Sequence, residues 1–286
     1  MPKFLMCPPQ HYRVDYSINP WMNPSYYRME DRSANRTLAF HQWDKLYEAM
    51  YLCGADIELI EQAPACPDMV FTANAGLVID HECLTSSFKH VERQKEQKYF
   101  EEYFKILKGR KELIDVRSVW DVQIDQLSMY RHSWQPIYFE GAGDAIFDPY
   151  DGVVWMGHGF RTQKIAADII RDQFRVPVVP LELCDPHFYH LDTCFAVLPE
   201  GYIMGYPGAF KEPFEFDVVL SKEDASIFSA NVVCVDDAVI GSFSFSVRDQ
   251  LLNLGLNPIM VDLSMFHKAG GSAACLALRL DHVLGD

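Results

Sequence analysis

The feature that most restricts the fold is a repeated unit. Two short apolar runs pair across a turn, and a helical pattern and one more apolar run follow. DMVFTANAGLVID is followed by HECLTSS, DAIFDPYDG by VVWMGHG, CFAVLPEG by YIMGYPGAF, and NVVCVDD by AVIGSFSF. Pro-Tyr-Asp-Gly and Pro-Glu-Gly supply turn chemistry for two of these hairpins. Helical patterns cover 37–54, 91–109, 162–174 and 246–255, and the strand-like runs ADIELI, VPVVPLEL and NPIMVDL come after helices. The period is roughly 45–60 residues, so about five units fit. The terminal stretch SAACLALRL is available to close against the first strand. No Pro/Gly/Ser-rich linker or low-complexity tract interrupts the pattern, so one closed α/β domain over 1–286 is expected. Segment 110–136 fits the unit poorly and is read as an insertion or irregular edge.

If the units close radially, the ends of their hairpins meet on one axis, and residues far apart in sequence become neighbours. Polar residues occupy comparable places in successive units: Asn74 in VFTANAG, Glu140 in YFEGAGDAIF, His190 and Asp192 in FYHLDTCF, and Cys275 in KAGGSAACLAL. That coincidence argues for one shared site.

The residue types suit nucleophilic chemistry on a planar cation. A cysteine nucleophile needs a thiolate, hence a nearby cation or a cationic substrate. Cys275 follows Gly270, Gly271 and Ser272, a tight-turn composition that can expose a thiol; a buried core cysteine before LALRL is the competing reading. An unperturbed histidine titrates near neutrality, which makes His190 a candidate general acid and base; a histidine satisfied inside a sheet is the competing reading. Asp192 lies two residues on, and in an extended strand both side chains share a face. Glu140 and Asp144 flank Gly141-Ala142-Gly143, where two carboxylates can orient a histidine, hold a guanidinium, or merely cap a hairpin. Asn74 offers an amide that both donates and accepts. Arg93 and Lys89 are candidates for a substrate carboxylate, with a solvated helix start as the plainer reading of Lys89.

Bulk properties prune the alternatives. A net charge of −15 opposes general nucleic-acid binding, which requires cations to displace phosphate counterions. The eight cysteines are scattered with no CxxC or zinc-like cluster, and read as reduced, mostly buried thiols. MPKFLMCPPQHYRV is too short in apolar length for a signal peptide, and no run reaches the roughly 20 apolar residues of a membrane helix. A cytoplasmic protein is expected, without membrane or nucleic-acid partners. GxGxxG, P-loop, HExxH and GxSxG motifs are absent.

In MCPPQHYRVDYSINPWM, DMVFTANAG, FEGAGD, HLDT and GGSAAC, taken in that order, the chain resembles the guanidine-modifying, or pentein, superfamily over nearly its whole length. That superfamily includes arginine deiminase, dimethylarginine dimethylaminohydrolase, the amidinotransferases and bacterial arginine dihydrolase. The resemblance implies a five-bladed α/β propeller of ββαβ modules. It implies Cys275 as nucleophile, His190 as general acid/base and Glu140 as supporting carboxylate, with Asp192 on the substrate guanidinium. It also implies contacts to substrate from Asp144, Arg93 and Asn19 of INPWM. Asn74 stands where arginine deiminases carry an aspartate, and the FTAN segment with the MCPP and INPWM start is most similar to arginine dihydrolase, which converts arginine to ornithine, two ammonia and carbon dioxide. No metal or organic cofactor is implied, the partner is a small guanidine, and no second fused activity is expected. The sequence leaves homo-oligomer formation open. Met265 stands where related sequences often have an acidic residue, and Lys89 where an arginine is common. The rival readings are hydrolysis of dimethylarginine, deimination to citrulline, amidino transfer, and a non-catalytic binding propeller. The last would require loss of the Cys–His–carboxylate set, which is retained here.

Overall fold

The computed structural model describes residues 1–25, 32–119 and 136–284. Its strands form five sheets of three. Strands β1 (Lys3–Met6) and β2 (Asp56–Leu59) are joined by helix α1 (Arg32–Leu52) and share a sheet with β15 (Ala277–Arg279). The second sheet holds β3 (Gly76–Ile79), β4 (Glu82–Thr85) and β5 (Asp115–Ser118), the third β6 (Ala145–Asp148), β7 (Val153–His158) and β8 (Val178–Glu182). The fourth holds β9 (Phe195–Val197), β10 (Ile203–Gly205) and β11 (Val218–Val219), and the fifth β12 (Val233–Val235), β13 (Ala238–Gly241) and β14 (Asn257–Met260). In each, an antiparallel pair receives a third strand in parallel. Parallel pairing needs a crossover, which explains the helix before the third strand in four of the sheets; in the fourth, the connection from β10 to β11 holds only a 3₁₀ turn at Pro207–Ala209. The expected ββαβ repeat is therefore present, and β15 closes antiparallel on β1 with Leu278 opposite Leu5.

The turns form for the anticipated reasons. Asp148 accepts the backbone N–H of Tyr150 and Asp151 at 2.9 and 3.1 Å, and Glu200 adopts a positive φ of 64° in the Pro-Glu-Gly turn. Short helices α2 (Val91–Gln94) and α3 (Gln97–Gly109) replace the single helix expected over 91–109. The break lies beside the buried ion pair of Arg93 with Glu96. Residues Phe100, Tyr103, Phe104 and Leu107 of α3 recur at helical spacing and pack with Leu5, Val78 and Cys83. Each such phenylalanine contributes on the order of 1.5–3 kcal/mol through burial.

Helix α4 (Ala166–Phe174) starts later than the sequence pattern, because Thr162 and Gln163 bond to the segment around Glu140 instead. Helix α5 (Lys222–Ser226) precedes β12, and α6 (Phe245–Asn253) is capped by the Ser244 hydroxyl, which accepts the Val247 N–H at 3.2 Å. Helix α7 (Ser264–His267) completes the set of described helices. The reading of 110–136 as irregular is corrected at β5, a regular strand parallel to β4; residues 120–135 lie outside the described residues. Among the described residues no helix is long and apolar enough to cross a membrane.

The first strand of every sheet contributes to an axial cavity of about 330 Å³, lined by Leu77, Ile146, Phe195, Val233 and Leu278 among others. Immediately before these strands the chain makes short 3₁₀ turns at Thr72–Ala75, Gly141–Gly143, Leu191–Thr193 and Ala274–Leu276. These turns carry, or directly follow, the polar residues singled out in the sequence.

Candidate active site

Asn74 and Cys275 lie inside such turns, Glu140 and His190 just before them. The turns pack so closely that only glycine fits in one of them. Gly141 has φ +62°, and a Cβ there would come within 2.7 Å of the Ala73 carbonyl oxygen. At Gly143 a Cβ would collide with the Asn74 amide.

A narrow cavity is walled by Asn19, Asp68, Phe71, Asn74, Arg93, Arg161, Tyr189, His190 and Cys275. Glu140 is wholly buried behind it. Its Oε2 lies 2.8 Å from His190 Nε2 and accepts Arg161 Nη1 at 3.0 Å, while Oε1 accepts the Lys89 backbone N–H at 3.1 Å. Burial works against ionisation of Glu140, yet Arg161 and then His190 outweigh it and hold the carboxyl well below the usual range. The fixed carboxylate therefore orients the imidazole.

Cys275 Sγ donates to Asp192 Oδ2 at 3.0 Å and accepts from Asn231 Nδ2 at 3.1 Å. Burial first, and the Asp192 charge second, push the thiol well above its ordinary value. In the resting site Cys275 is a thiol, and a cationic guest would favour release of its proton. Burial also pushes Asp192 up to about 7. Asp192 Oδ1 and Asp68 Oδ1 are buried without a hydrogen-bond partner. Buried acceptors without donors cost about 1–3 kcal/mol each, more when charged. An N–H-rich ligand in the narrow cavity would meet Asp68, while Asp192 adjoins that cavity through Cys275.

The raised pKa of Asp192 has a measurable consequence. Its folded-state value lies above the unfolded one, so between about pH 4 and pH 7 the folded protein keeps a proton that the unfolded chain releases. Stability is lost as pH rises through that window, by about 1.4 kcal/mol for each pH unit crossed. Asp192→Asn is expected to melt several degrees above the parent at pH 8, with the gap closing toward pH 4.5. A gap independent of pH in thermal melts would overturn this account.

The sequence-derived candidates Asn74, Glu140, His190, Cys275, Arg93 and Asn19 converge on the cavity or directly behind it. The argument that His190 and Asp192 share a strand face is corrected. Residues 191–193 form a 3₁₀ turn, so His190 points to Glu140 while Asp192 reaches Cys275 and lines the axial cavity. Asp144 does not line the narrow cavity; its oxygens accept the N–H groups of Leu191 at 3.1 Å and Thr162 at 3.2 Å, fixing the segments that carry His190 and Arg161. Arg93 does line it, but its fork already serves Glu96, the Asn74 Oδ1 at 2.7 Å and the Asp68 carbonyl. Asn19 donates to the Ala269 carbonyl at 2.9 Å and ties the N-terminal loop across one wall. The Lys89 ammonium rests on the Phe160 carbonyl rather than in the cavity. Met265 is buried in the core, its backbone bonded to Gln42 and Tyr12.

Three participants escaped the sequence reading: Arg161, Asp68 and Asn231. Arg161 stacks over Tyr189 at 4.4 Å and also donates to the Ile18 carbonyl. It sits in a loop with no periodic signal. Asn231 had a signal, since Ala230-Asn231 before β12 repeats Ala73-Asn74 before β3.

Comparison with known proteins adds to this geometry. A family model described as N,N dimethylarginine dimethylhydrolase, eukaryotic, matches residues 17–280. The bifunctional arginine dihydrolase/ornithine cyclodeaminase ArgZ of Synechocystis sp. is 37% identical over 97% of this chain. The match takes in 37% of that relative, so the chain spans well under half its length. The N(G),N(G)-dimethylarginine dimethylaminohydrolase of Mycobacterium tuberculosis is 31% identical over 97% of this chain and 85% of its own. Among solved structures, the N-terminal domain of ArgZ, as an asparagine-to-serine variant covalently bound to a reaction intermediate, is similar with a TM-score of 0.86 and 36% identity, covering 100% of both chains.

Proposed function

The chain belongs to the dimethylarginine dimethylaminohydrolase family of the pentein superfamily, and from that premise we propose that it is a cysteine hydrolase converting L-arginine to ornithine, two ammonia and carbon dioxide. The observation that carries the reading is the buried pairing of Cys275 with Asp192 beside the His190–Glu140 pair, with an amide, Asn74, where a carboxylate would restrict the site to cations. The five modules act as one catalytic unit.

The guanidinium enters with its donors toward the open oxygens of Asp192 and Asp68. Its charge brings down the energy of the Cys275 thiolate, which attacks the central carbon as the thiol proton passes to His190. His190 returns that proton to the departing nitrogen, ammonia leaves, and a thiouronium remains on Sγ. Water, deprotonated by His190, then breaks the C–S bond and restores the thiol, giving citrulline. In a second round the thiol displaces ammonia from the ureido carbon, and water releases an N-carboxylate of ornithine that loses carbon dioxide. Asn74 can donate to the ureido oxygen, which a carboxylate cannot do. Glu140 keeps the imidazole oriented throughout.

The test is product stoichiometry with arginine. Ornithine accompanied by about two ammonia per turnover is expected. Citrulline with a single ammonia would sink the second round, and no product would sink the proposal. The dimethylarginine hydrolase relative supports a second reading, checked in the same assay by release of dimethylamine from dimethylarginine.

A further inference from the structure

Asn231 comes from the unit that otherwise supplies no chemistry to the site, and it is wholly buried. Its Oδ1 accepts the backbone N–H of Ser272 at 3.1 Å and of Cys275 at 3.2 Å. Its Nδ2 donates to the Asp192 carbonyl at 2.8 Å and to Cys275 Sγ at 3.1 Å. Two amides on one side and a carbonyl on the other fix which end of the side chain is oxygen, so the group against the sulfur is a donor. Both amide hydrogens are spent, one on the backbone that presents Asp192 and one on the nucleophile.

Asp192 faces the same sulfur with an acceptor. At pH 8, as a carboxylate, it accepts the hydrogen of a thiol but repels a thiolate. Once the thiol proton has left, the side-chain hydrogen bond to Sγ that stabilises the charge is that of Asn231. We propose that Asn231 is a catalytic residue whose amide N–H holds the negative charge on Cys275 Sγ, both before attack and when the C–S bond breaks. Its carbonyl simultaneously ties down the turn that carries Cys275. The proposal deepens the hydrolase reading and rests on Cys275 as its nucleophile.

Asn231→Asp separates the two duties, because one carboxylate oxygen can still accept the Ser272 and Cys275 amides while the other replaces the donor with a negative charge. Alkylation of Cys275 by iodoacetamide, followed across pH by mass spectrometry of the Cys275 peptide, reports thiolate formation without any guanidine. Asn231→Asp is expected to slow it about ten- to a hundredfold at pH 8, the scale of one charge-assisted hydrogen bond, and to move the apparent thiol titration upward. kcat on arginine should fall at least as far with KM within about threefold. An alkylation profile coinciding with that of the parent overturns the proposal. If the variant does not fold, the isotope-labelled parent decides: the Asn231 side-chain amide resonance should shift when Cys275 is alkylated, and one indifferent to that change overturns it equally. A parent protein that turns over no arginine but shows the Asn231-dependent profile would remove the hydrolase reading and support the thiolate donor.

Discussion

Cys275→Ala is expected to abolish turnover, by on the order of 10⁵-fold or more, while arginine still binds. The thiol is the cysteine that lines the cavity, and neither His190 nor the carboxylates around it can form the covalent intermediate in its place. Of the groups expected to hold the cation, Asp68 stands apart from the bond between Asp192 and the sulfur, and the Asp192 backbone stays tied to Asn231 when the thiol is lost. Asp192 loses one hydrogen bond and gains an open acceptor, so arginine affinity should stay within about threefold of the parent, or tighten. Calorimetric titration paired with an ammonia assay tests both halves. Residual turnover above about a hundredth of the parent would show that the cysteine is not the nucleophile, since losing a nucleophile costs far more.

Asn74→Asp should leave the first round running and stop the second. Asn74 is held from both ends, with Oδ1 accepting from Arg93 Nη1 at 2.7 Å and Nδ2 donating to the Glu140 carbonyl at 3.2 Å. An aspartate keeps the Arg93 contact as an ion pair and replaces the donor by an acceptor. A guanidinium presents only N–H groups and tolerates that change, whereas the oxygen of a ureido group meets a second oxygen. Citrulline should accumulate, ornithine should fall about a hundredfold or more, and ammonia per arginine should drop from about two to one. The added oxygen also faces the Glu140 carbonyl, so the first round should slow, by about tenfold at most. Ornithine output unchanged from the parent would show that Asn74 does not govern the second attack.

Much of this was readable from sequence because the hairpin–helix–strand unit writes itself in apolar periodicity and turn residues. Repetition then placed Asn74, Glu140, His190 and Cys275 at comparable positions. What periodicity does not encode is the local backbone between elements. The 3₁₀ turn at 191–193 redirects Asp192 from the face it would share with His190, and no apolar pattern signals it. The break between α2 and α3 falls beside a buried ion pair, Arg93 with Glu96, whose residues look like an ordinary exposed helical pair in sequence. Arg161 matters through a contact made by a loop tip, where sequence carries the least structural information. Asn231 differs from these, because comparing the units with one another would have exposed it.

The antiparallel pairing of β15 with β1 has a kinetic side. Cys275 stands two residues before β15, and β15 finds its strand partner in β1, at the opposite end of the sequence. Contacts of that span form only after nearly all the chain's loop-closure entropy has been spent. The proposed nucleophile is therefore expected to be seated last. A growing or half-folded chain holds the histidine and its carboxylate but leaves Cys275 unattached to Asp192. Appearance of activity during refolding would mark the moment the ring shuts, later than the recovery of helical signal from the interior units.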